Sequence, residues 1–361
     1  MAFFGAGKSI FGTSSTATTS QTKKDPEVQS PPADTVSCLR FSPATINSAT
    51  SYLAATSWDN RVRVWEVAAN GTSTPKAEQV HQGPALGVAW STDGTKIFSV
   101  GADKCAQMWD LSSNQFIQVG AHDAPIKTVH FISSPNYTCL MTGGWDKKLK
   151  FWDMRQPTPM SCIDLPERTY CADVVYPLAV VGLAGRQIIV YQLEKGPTVA
   201  AQLDSPLTFQ NRCVSIFMDK QKSSPAGFAL GSIEGRVAIQ YFQPTAPKDN
   251  FTFKCHRSAS AVNGYYEIFA VNDVAFHPVH GTLATVGSDG RYAFWDKDAR
   301  TKLRGLENAE MPMTACAFDP NGNLFAYACG YDWSKGHECA DPSKPPKIYI
   351  RQGLDEMKPS K

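Results

Sequence analysis

The most restrictive feature of the sequence is a repeated spacing between an aspartate and a tryptophan. An Asp is followed six residues later by a Trp in four places, and the first three of these Trp residues recur every 43 or 44 residues. The four pairs are Asp59 and Trp65, Asp103 and Trp109, Asp146 and Trp152, and Asp289 and Trp295. A fixed period of this length indicates a chain built from repeated structural units, each of which packs on its neighbours.

Each repeat has a simple physical explanation. A short acceptor such as Asp suits a tight turn, where it accepts hydrogen bonds from nearby backbone N–H groups. The strand after the turn alternates between two faces and ends in a Trp large enough to fill the space between neighbouring sheets. A period of about 40–45 residues that ends in Trp-Asp is typical of a WD-repeat β-propeller. The predicted fold class is therefore all-β.

Three weaker units complete the ring. In each of them a Tyr takes the Trp position, namely Tyr191, Tyr241 and Tyr349. We therefore predict seven blades, which is within the usual range for propellers. Residues 36–66 hold only part of a first blade, so we expect a strand borrowed from the opposite terminus to close the ring.

The composition of the chain changes near its ends. Residues 34–355 carry the repeats and are assigned to the propeller, and residues 356–361 form a short C-terminal tail. Residues 1–33 are rich in Ser, Thr, Gly and Ala without any period, so we expect them to be disordered. Residues 4–5 and 11–12 are Phe-Gly dipeptides. They are either chance occurrences or elements like those of nuclear-pore proteins.

Composition and motifs exclude several classes of function. A net charge of +2 with 42% hydrophobic residues predicts no global attraction to nucleic acid or membrane, so any such binding needs local patches. No apolar run is long enough to span a bilayer, and we expect no membrane insertion. The ten Cys include no Cys-x-x-Cys pair, which favours free thiols in a reducing compartment. We predict no metal, no cofactor and no enzymatic activity, because no phosphate loop or nucleophile arrangement occurs.

The residue before the turn Asp should lie on one rim of the ring, because all seven turns project to the same face. In four blades it is small or polar, namely Ala102, Ala184, Glu234 and Ser288. In two others it is Trp58 and Trp145, which either pack under a neighbouring loop or anchor a partner. Arg236 should reach the same face, where it either binds a carboxylate of a partner or pairs with Glu234.

A second group of residues is basic and aromatic. Residues 251–257 follow the fifth repeat and residues 295–304 follow the sixth, so the two segments could meet on adjacent edges. Aromatic faces beside cations are typical of sequence-tolerant binding of single strands. The alternative is that Trp295 is only the structural Trp of its blade and that the cations are solvated.

Residues 152–155 read Trp-Asp-Met-Arg. This sequence resembles the box by which some propellers dock to cullin-ligase adaptors. A single instance is a weak signal, since Trp152 also has a structural role.

Three longer strings are more specific than the repeat. Residues 171–177 (Cys-Ala-Asp-Val-Val-Tyr-Pro), 231–238 (Gly-Ser-Ile-Glu-Gly-Arg-Val-Ala) and 253–257 (Phe-Lys-Cys-His-Arg) resemble a small propeller family. That family comprises the mRNA-export factor of the nuclear pore (the Rae/Gle propeller) and a Bub-type sibling of the mitotic checkpoint. The resemblance covers nearly all of the propeller. The Phe-Gly dipeptides and residues 294–302 and 331–338 favour the export branch.

The resemblance implies two partners and a location. It implies that one face binds the GLEBS motif, a short acidic segment of an FG nucleoporin, through Trp58, Trp145 and Arg236. It also implies a positive side groove for single-stranded RNA of messenger ribonucleoprotein. The matching residues are Phe253, Lys254, Trp295, Lys297, Arg300 and Lys302. The expected location is the nucleus and the nuclear pore complex, with shuttling to the cytoplasm. Two alternatives are a checkpoint adaptor that binds mitotic proteins and a substrate receptor of a cullin-type ubiquitin ligase.

Overall fold

Short strands joined by tight turns make up nearly all of the regular structure. The computed structural model describes residues 25–44, 50–246, 248–258, 260–261, 263–306, 309–353 and 355–359. The Phe-Gly dipeptides of the expected tail lie outside these residues. The described chain also contains short 3-10 helices at Ala184–Arg186, His337–Cys339 and Asp355–Met357.

The strands form seven antiparallel sheets, numbered here as blades 1 to 7 in chain order, and consecutive strands are neighbours in each. Blade 1 contains β1 (Val36–Phe41), β2 (Ser51–Ser57), β3 (Arg61–Val67) and β4 (Ser73–Val80). Blade 2 contains β5 (Ala85–Trp90), β6 (Lys96–Gly101), β7 (Cys105–Asp110) and β8 (Gln115–Ala121). Blade 3 contains β9 (Ile126–Ser133), β10 (Thr138–Gly144), β11 (Lys148–Trp152) and β12 (Pro159–Asp164). Blade 4 contains β13 (Thr169–Val175), β14 (Leu178–Leu183), β15 (Gln187–Gln192) and β16 (Thr198–Asp204).

The remaining blades follow the same order. Blade 5 contains β17 (Asn211–Met218), β18 (Pro225–Ser232), β19 (Arg236–Tyr241) and β20 (Phe251–Lys254). Blade 6 contains β21 (Val271–Phe276), β22 (Leu283–Gly287), β23 (Tyr292–Asp296) and β24 (Thr301–Leu306). Blade 7 contains β25 (Met313–Phe318), β26 (Leu324–Cys329) and β27 (Lys347–Gln352). The incomplete sheet is therefore blade 7, and the prediction that blade 1 is incomplete was wrong.

The blades are arranged as a closed ring. The first strand of each blade contacts the first strands of both neighbours, and β25 contacts β1. These inner strands therefore surround a central channel. A separate buried apolar cluster fills each of the seven spaces between adjacent blades. Trp65, Trp109 and Trp152 are almost fully buried in three of these clusters, which confirms that the repeated Trp fills the space between sheets.

One hydrogen bond recurs in all seven blades. The backbone N–H that begins the turn after the second strand donates to a carbonyl just before the first strand of the same blade, at 2.8–3.2 Å. The donor and acceptor pairs are Trp58 and Thr35, Ala102 and Pro84, Trp145 and Pro125, Ala184 and Arg168, Ile233 and Gln210, Ser288 and Ala270, and Gly330 and Pro312. These turns therefore occupy equivalent positions on one face, called the upper face here. The seven-bladed β-propeller is confirmed, including its three weak units.

The turn Asp residues act as the sequence predicts. Each of the four accepts a hydrogen bond from the backbone N–H two residues later, at 3.1–3.2 Å. In three blades the same carboxylate also binds a buried histidine from the segment before the inner strand. These pairs are His81 with Asp103, His122 with Asp146, and His256 with Asp289, at 2.8–2.9 Å. These histidines are not predictable from the repeat, because they lie far from the Asp along the chain.

In blades 3 and 6 the histidine is also linked to the repeated Trp through a threonine hydroxyl. The ring of His122 contacts both Asp146 and the Thr142 hydroxyl, and Trp152 donates its indole N–H to the same hydroxyl oxygen at 2.8 Å. A neutral imidazole suits this network, because one ring nitrogen donates to the carboxylate while the other accepts the hydroxyl proton. Burial lowers the pKa of His122, although Asp146 opposes this. The network therefore holds His122 in its neutral form.

Strand register corrects two of the weak units. In each blade, one residue of the third strand pairs with the second-strand residue that lies five positions before the recurring N–H donor. This third-strand residue is Trp in blades 1, 2, 3 and 6 and Tyr191 in blade 4. In blade 5 this position is Gln240, and in blade 7 it is Arg351. The assignment of Tyr241 and Tyr349 to it was therefore wrong. The same register places Glu234 at the position of the turn Asp.

A segment from the N-terminal side closes the ring at blade 7, which reverses the prediction that a strand from the opposite terminus completes blade 1. Val28 donates its N–H to the carbonyl of Ile348, and Ile350 donates to that of Pro26, so this closing segment (residues 25–29) pairs with β27. Val28 is buried with the core between blades 7 and 1. Met357 is also fully buried, against blades 6 and 7. The contacts of the propeller thus extend beyond residues 34 and 355.

Candidate functional site: an upper rim and a side groove

The two rim tryptophans start equivalent turns on different blades. Trp58 follows β2 and Trp145 follows β10, and the recurring hydrogen bond fixes both at the upper face. Trp58 leaves 44% of its surface exposed. Trp145 is half-buried, and its indole N–H is buried without a hydrogen-bond partner among the described residues. Trp58 is therefore exposed enough to be buried by a partner, whereas Trp145 is already partly buried by the protein itself.

Arg236 begins β19, directly after the turn of blade 5. Its guanidinium lies 3.5 Å from the carboxylate of Glu234, and one third of the side chain is exposed. Glu234 also accepts the backbone N–H of Thr208 at 3.1 Å, which fixes the carboxylate. The internal pair anticipated from the sequence is thus present, but it is long and leaves part of the guanidinium accessible to a second carboxylate.

Register changes which residue of blade 5 occupies the rim. The recurring hydrogen bond is made by Ile233, not by Glu234, and Ile233 is 43% exposed. Blades 1, 3 and 5 therefore present a large apolar residue at the same turn position. No hydrogen bond, ion pair or ring contact joins Trp58, Trp145 and Arg236 in the described part of the chain. The structure places them on one face but not in one cluster.

The side groove forms where blades 5 and 6 meet. Phe253 on β20 and Trp295 on β23 bring their ring centroids to 4.7 Å, with planes tilted by 46°. Both side chains are half-buried. Trp295 also donates its indole N–H to Thr285 at 3.1 Å within the blade 6 network. The structural role anticipated for Trp295 is therefore present, and an aromatic surface remains beside it.

The four cations of the groove differ in their surroundings. Lys254 and Lys302 are exposed on the outer strands β20 and β24, and neither ammonium group has an ion pair or hydrogen bond among the residues described. The guanidinium of Arg300 lies 4.3 Å from the Phe251 ring centroid and donates to the carbonyl of Lys248. Lys297 is only 9% exposed and lies 2.7 Å from Asp298. The charge of Lys297 is thus largely neutralised within the protein.

Phe251 was not singled out from the sequence as a groove residue. It shares one face of β20 with Phe253, at a centroid distance of 6.3 Å, and supports Arg300. The alternation of Phe251 and Phe253 along a strand was the available signal. Asp249 and Asp298 line the adjacent cavity with Lys297 and Arg300, so this end of the groove carries mixed charge.

Arg155, from the sequence that resembles an adaptor-docking box, lies at the surface. The guanidinium of Arg155 binds both carboxylate oxygens of Asp153, and its side chain is 87% exposed. Within the described residues, no cluster of three or more His, Cys, Asp or Glu side chains could hold a metal ion. Likewise, none of the described helices has the length and apolar character needed to cross a membrane.

The fold and its recurrent turns define a WD-repeat β-propeller. The family model described as "WD domain, G-beta repeat" matches residues 27–66, 75–110, 114–153 and 248–296. The first three strands of blades 4, 5 and 7, where the Asp or Trp is replaced, lie outside the matched repeats.

Curated relatives match the chain almost from end to end. Identity is 58% over 335 residues to the protein named Rae1 of Drosophila melanogaster, covering 93% of this chain and 96% of the relative. It is 59% over 356 residues to the mRNA export factor of Xenopus tropicalis, covering 98% and 95%. It is 57% over 359 residues to the mRNA export factor of Danio rerio, covering 99% and 96%. The chain therefore belongs to the Rae1 and mRNA export factor family, which confirms the family suggested by the sequence motifs.

Proposed function

We propose that this chain is a non-enzymatic adaptor in the nuclear export of poly(A) mRNA. The observation that carries this proposal is the 57–59% identity, over nearly the full length, to proteins named Rae1 or mRNA export factor. The adaptor would act in the nucleus and at the nuclear pore complex and shuttle to the cytoplasm. A closed ring suits this role, because its surfaces keep fixed relative positions while partners bind.

The upper face is proposed to bind the acidic GLEBS segment of an FG nucleoporin. Trp58 supports this assignment, because an exposed indole on a fixed turn loses little freedom when it is buried by a partner. Arg236 supports it as well, because its pair with Glu234 is long and its side chain is partly exposed. Trp145 would contribute mainly by shaping the surface between these residues.

The groove between blades 5 and 6 is proposed to bind single-stranded RNA. Bases would stack on Phe253 and Trp295, whose rings already contact each other. The unpaired ammonium groups of Lys254 and Lys302 would contact phosphates, which gives binding that weakens with salt. Arg300 stays close enough to the aromatic rings to bind a base or a phosphate. Lys297 would act mainly by supporting this end of the groove.

A charge reversal tests the upper-face proposal. Arg236→Glu should weaken binding of a GLEBS peptide by about 2–5 kcal/mol, because it places a negative charge against the acidic segment. Isothermal titration calorimetry measures this loss directly. Arg155→Glu is a matched control, because Arg155 also pairs with an acid two residues earlier but lies beyond the third strand, on the opposite face. Equal affinities for the two variants would contradict the assignment of Arg236.

A further inference from the structure

Seven equivalent residues line the upper mouth of the central channel. Each is the second residue of an inner strand, where the pairing with the next strand skips one residue and forms a β-bulge. They are Ser37, Leu86, Lys127, Tyr170, Arg212, Asn272 and Thr314, and all seven line the same cavity. Because a β-bulge redirects the side chain of the extra residue, the bulge at this position in every blade turns all seven side chains toward the channel mouth.

The chemistry of this mouth ring is that of hydrogen-bond donors. It contains two cations, three hydroxyl groups and one amide, and no carboxylate. The hydroxyl of Ser37 donates to the carbonyl of Ala85, and the amide of Asn272 donates to that of Met313, so these two are occupied. The other polar residues of the mouth ring carry its remaining side-chain donors.

The unused donors lie mainly on consecutive blades. Lys127, Tyr170 and Arg212 belong to blades 3, 4 and 5, and none of their side chains has a hydrogen bond or ion pair with any other described residue. The hydroxyl of Thr314 is buried and also lacks a partner in the described structure. Burial lowers the pKa of Lys127, and the positive charge of Arg212 adds to this effect. Lys127 and Arg212 thus face one cavity without a direct ion pair, and Asp273, which lines the same cavity, attracts Lys127 only from a distance.

The carboxylates deeper in the channel already have partners. Asp173 accepts the backbone N–H groups of Val174 and Ile216, and Asp273 accepts those of Val274 and Cys316. Arg40 interacts with both of these carboxylates, and Lys127 of the mouth ring also interacts with Asp273.

The imidazole of His130 adds no positive charge at neutral pH, because burial lowers its pKa to about 4. Asp273 is thus the carboxylate that shares the cavity with Lys127 and Arg212, and it also interacts with Arg40.

We propose that the mouth ring binds a small tetrahedral oxyanion of phosphate size between Lys127 and Arg212. The cavity has a volume of about 90 Å³, which compares with about 30 Å³ for one water molecule in the liquid. Tyr170 and Thr314 supply hydroxyl donors for oxygens that the cations do not reach. The bound anion would offset the cost of holding an unpaired ammonium group in the channel. This site does not depend on the proposed partners of the upper face or the groove.

Thermal unfolding at constant ionic strength tests the proposal. Replacing chloride by phosphate or sulfate should raise Tm in a saturable manner, because the anion binds the folded state only. These anions also raise Tm by exclusion from protein surfaces, but that effect does not saturate. Lys127→Met combined with Arg212→Gln should abolish the saturable part. Lys195→Met, an exposed lysine on the opposite face, should retain it.

The single variant Lys127→Met provides two further tests of the site. Lys127→Met alone should raise Tm in chloride, because it removes an unpaired and partly buried charge whose pKa is lowered by its surroundings. Calorimetry should find phosphate binding at least about tenfold weaker in this variant than in the Lys195→Met control. A saturable effect that persists in the double variant would overturn the site. An equal response to acetate would overturn the assignment to a tetrahedral oxyanion.

Discussion

Blades 3 and 7 place chemically different residues at the same strand position. In blade 3 the position holds Trp152, which is 3% exposed and donates its indole N–H to Thr142. In blade 7 it holds Arg351, whose guanidinium pairs with Asp25 of the closing segment at 3.1 Å and with Glu356 near the C-terminus. One residue joins strands within a single blade, whereas the other joins three distant parts of the chain.

This difference shows what the repeated position does. The residue at this strand position fixes its blade to the segment that packs against that blade. In the middle of the ring the neighbour is another complete sheet, so a large apolar ring with one polar N–H suffices. At the closure the neighbours are two chain ends, and a guanidinium can bind both through separate N–H groups. Blade 6 is intermediate, because Trp295 keeps the internal bond but also borders the groove.

Removal of the closure cation should have the largest effect. Arg351→Met leaves the nearly buried carboxylates of Asp25 and Glu356 without their cation, so we expect the free energy of unfolding to fall by about 3–5 kcal/mol. Urea denaturation measures this loss. Lys347→Met is the control, because Lys347 pairs with the same closing segment through the more exposed Glu27 and should cost at most about 1 kcal/mol. Equal losses would mean that closure rests on apolar packing alone.

Acid should weaken the histidine network of blade 3. His122 is neutral in the folded state because burial lowers its pKa below the ordinary value of 6.5. The unfolded chain therefore binds a proton more readily, and the stabilisation from the neutral ring is lost as the pH falls through 6.5. The effect should be smaller than that of Arg351→Met. NMR titration of the ring measures its pKa, and a value at or above 6.5 would contradict this expectation.

The differences between the blades also show which parts of the fold can be predicted from the sequence. The Asp-to-Trp spacing predicted the ring and its seven blades, because that spacing is local and each turn uses nearby backbone groups. It misplaced the equivalents of Trp in blades 5 and 7, since Gln240 and Arg351 resemble Trp in neither size nor polarity. The histidine partners were invisible for a different reason: His122 and Asp146 meet only after the inner strand has been traversed. Long-range pairing, not composition, decided these contacts.

The same reason limits what the sequence says about the candidate sites. Resemblance selected Phe253 and Trp295, and the fold brings their rings together. Resemblance could not separate the exposed Lys254 from Lys297, because the nearness of Asp298 depends on how the turn folds.

A matched pair of substitutions separates the structural role of Trp295 from its proposed role in RNA binding. Trp152→Phe and Trp295→Phe each remove one indole N–H bond to a threonine, so both should lower the free energy of unfolding by about 1–2 kcal/mol. Only Trp295 contacts Phe253, so only Trp295→Phe should weaken RNA binding, by about 1 kcal/mol from the smaller stacking area. Fluorescence anisotropy with a single-stranded RNA measures this difference. An identical RNA affinity for both variants would limit Trp295 to its structural role.

The smallest effect should distinguish the cations within the groove. Lys254→Ala with Arg300→Ala should reduce the slope of log affinity against log salt by about 0.7 for each phosphate that is no longer neutralised. Lys297→Ala should leave that slope nearly unchanged, because Asp298 already neutralises the ammonium group and counterions are not released there. Titrations at several salt concentrations give the slopes. A larger change for Lys297→Ala than for the double variant would mean that RNA displaces Asp298, and the groove would then have to extend into the cavity beside Phe251.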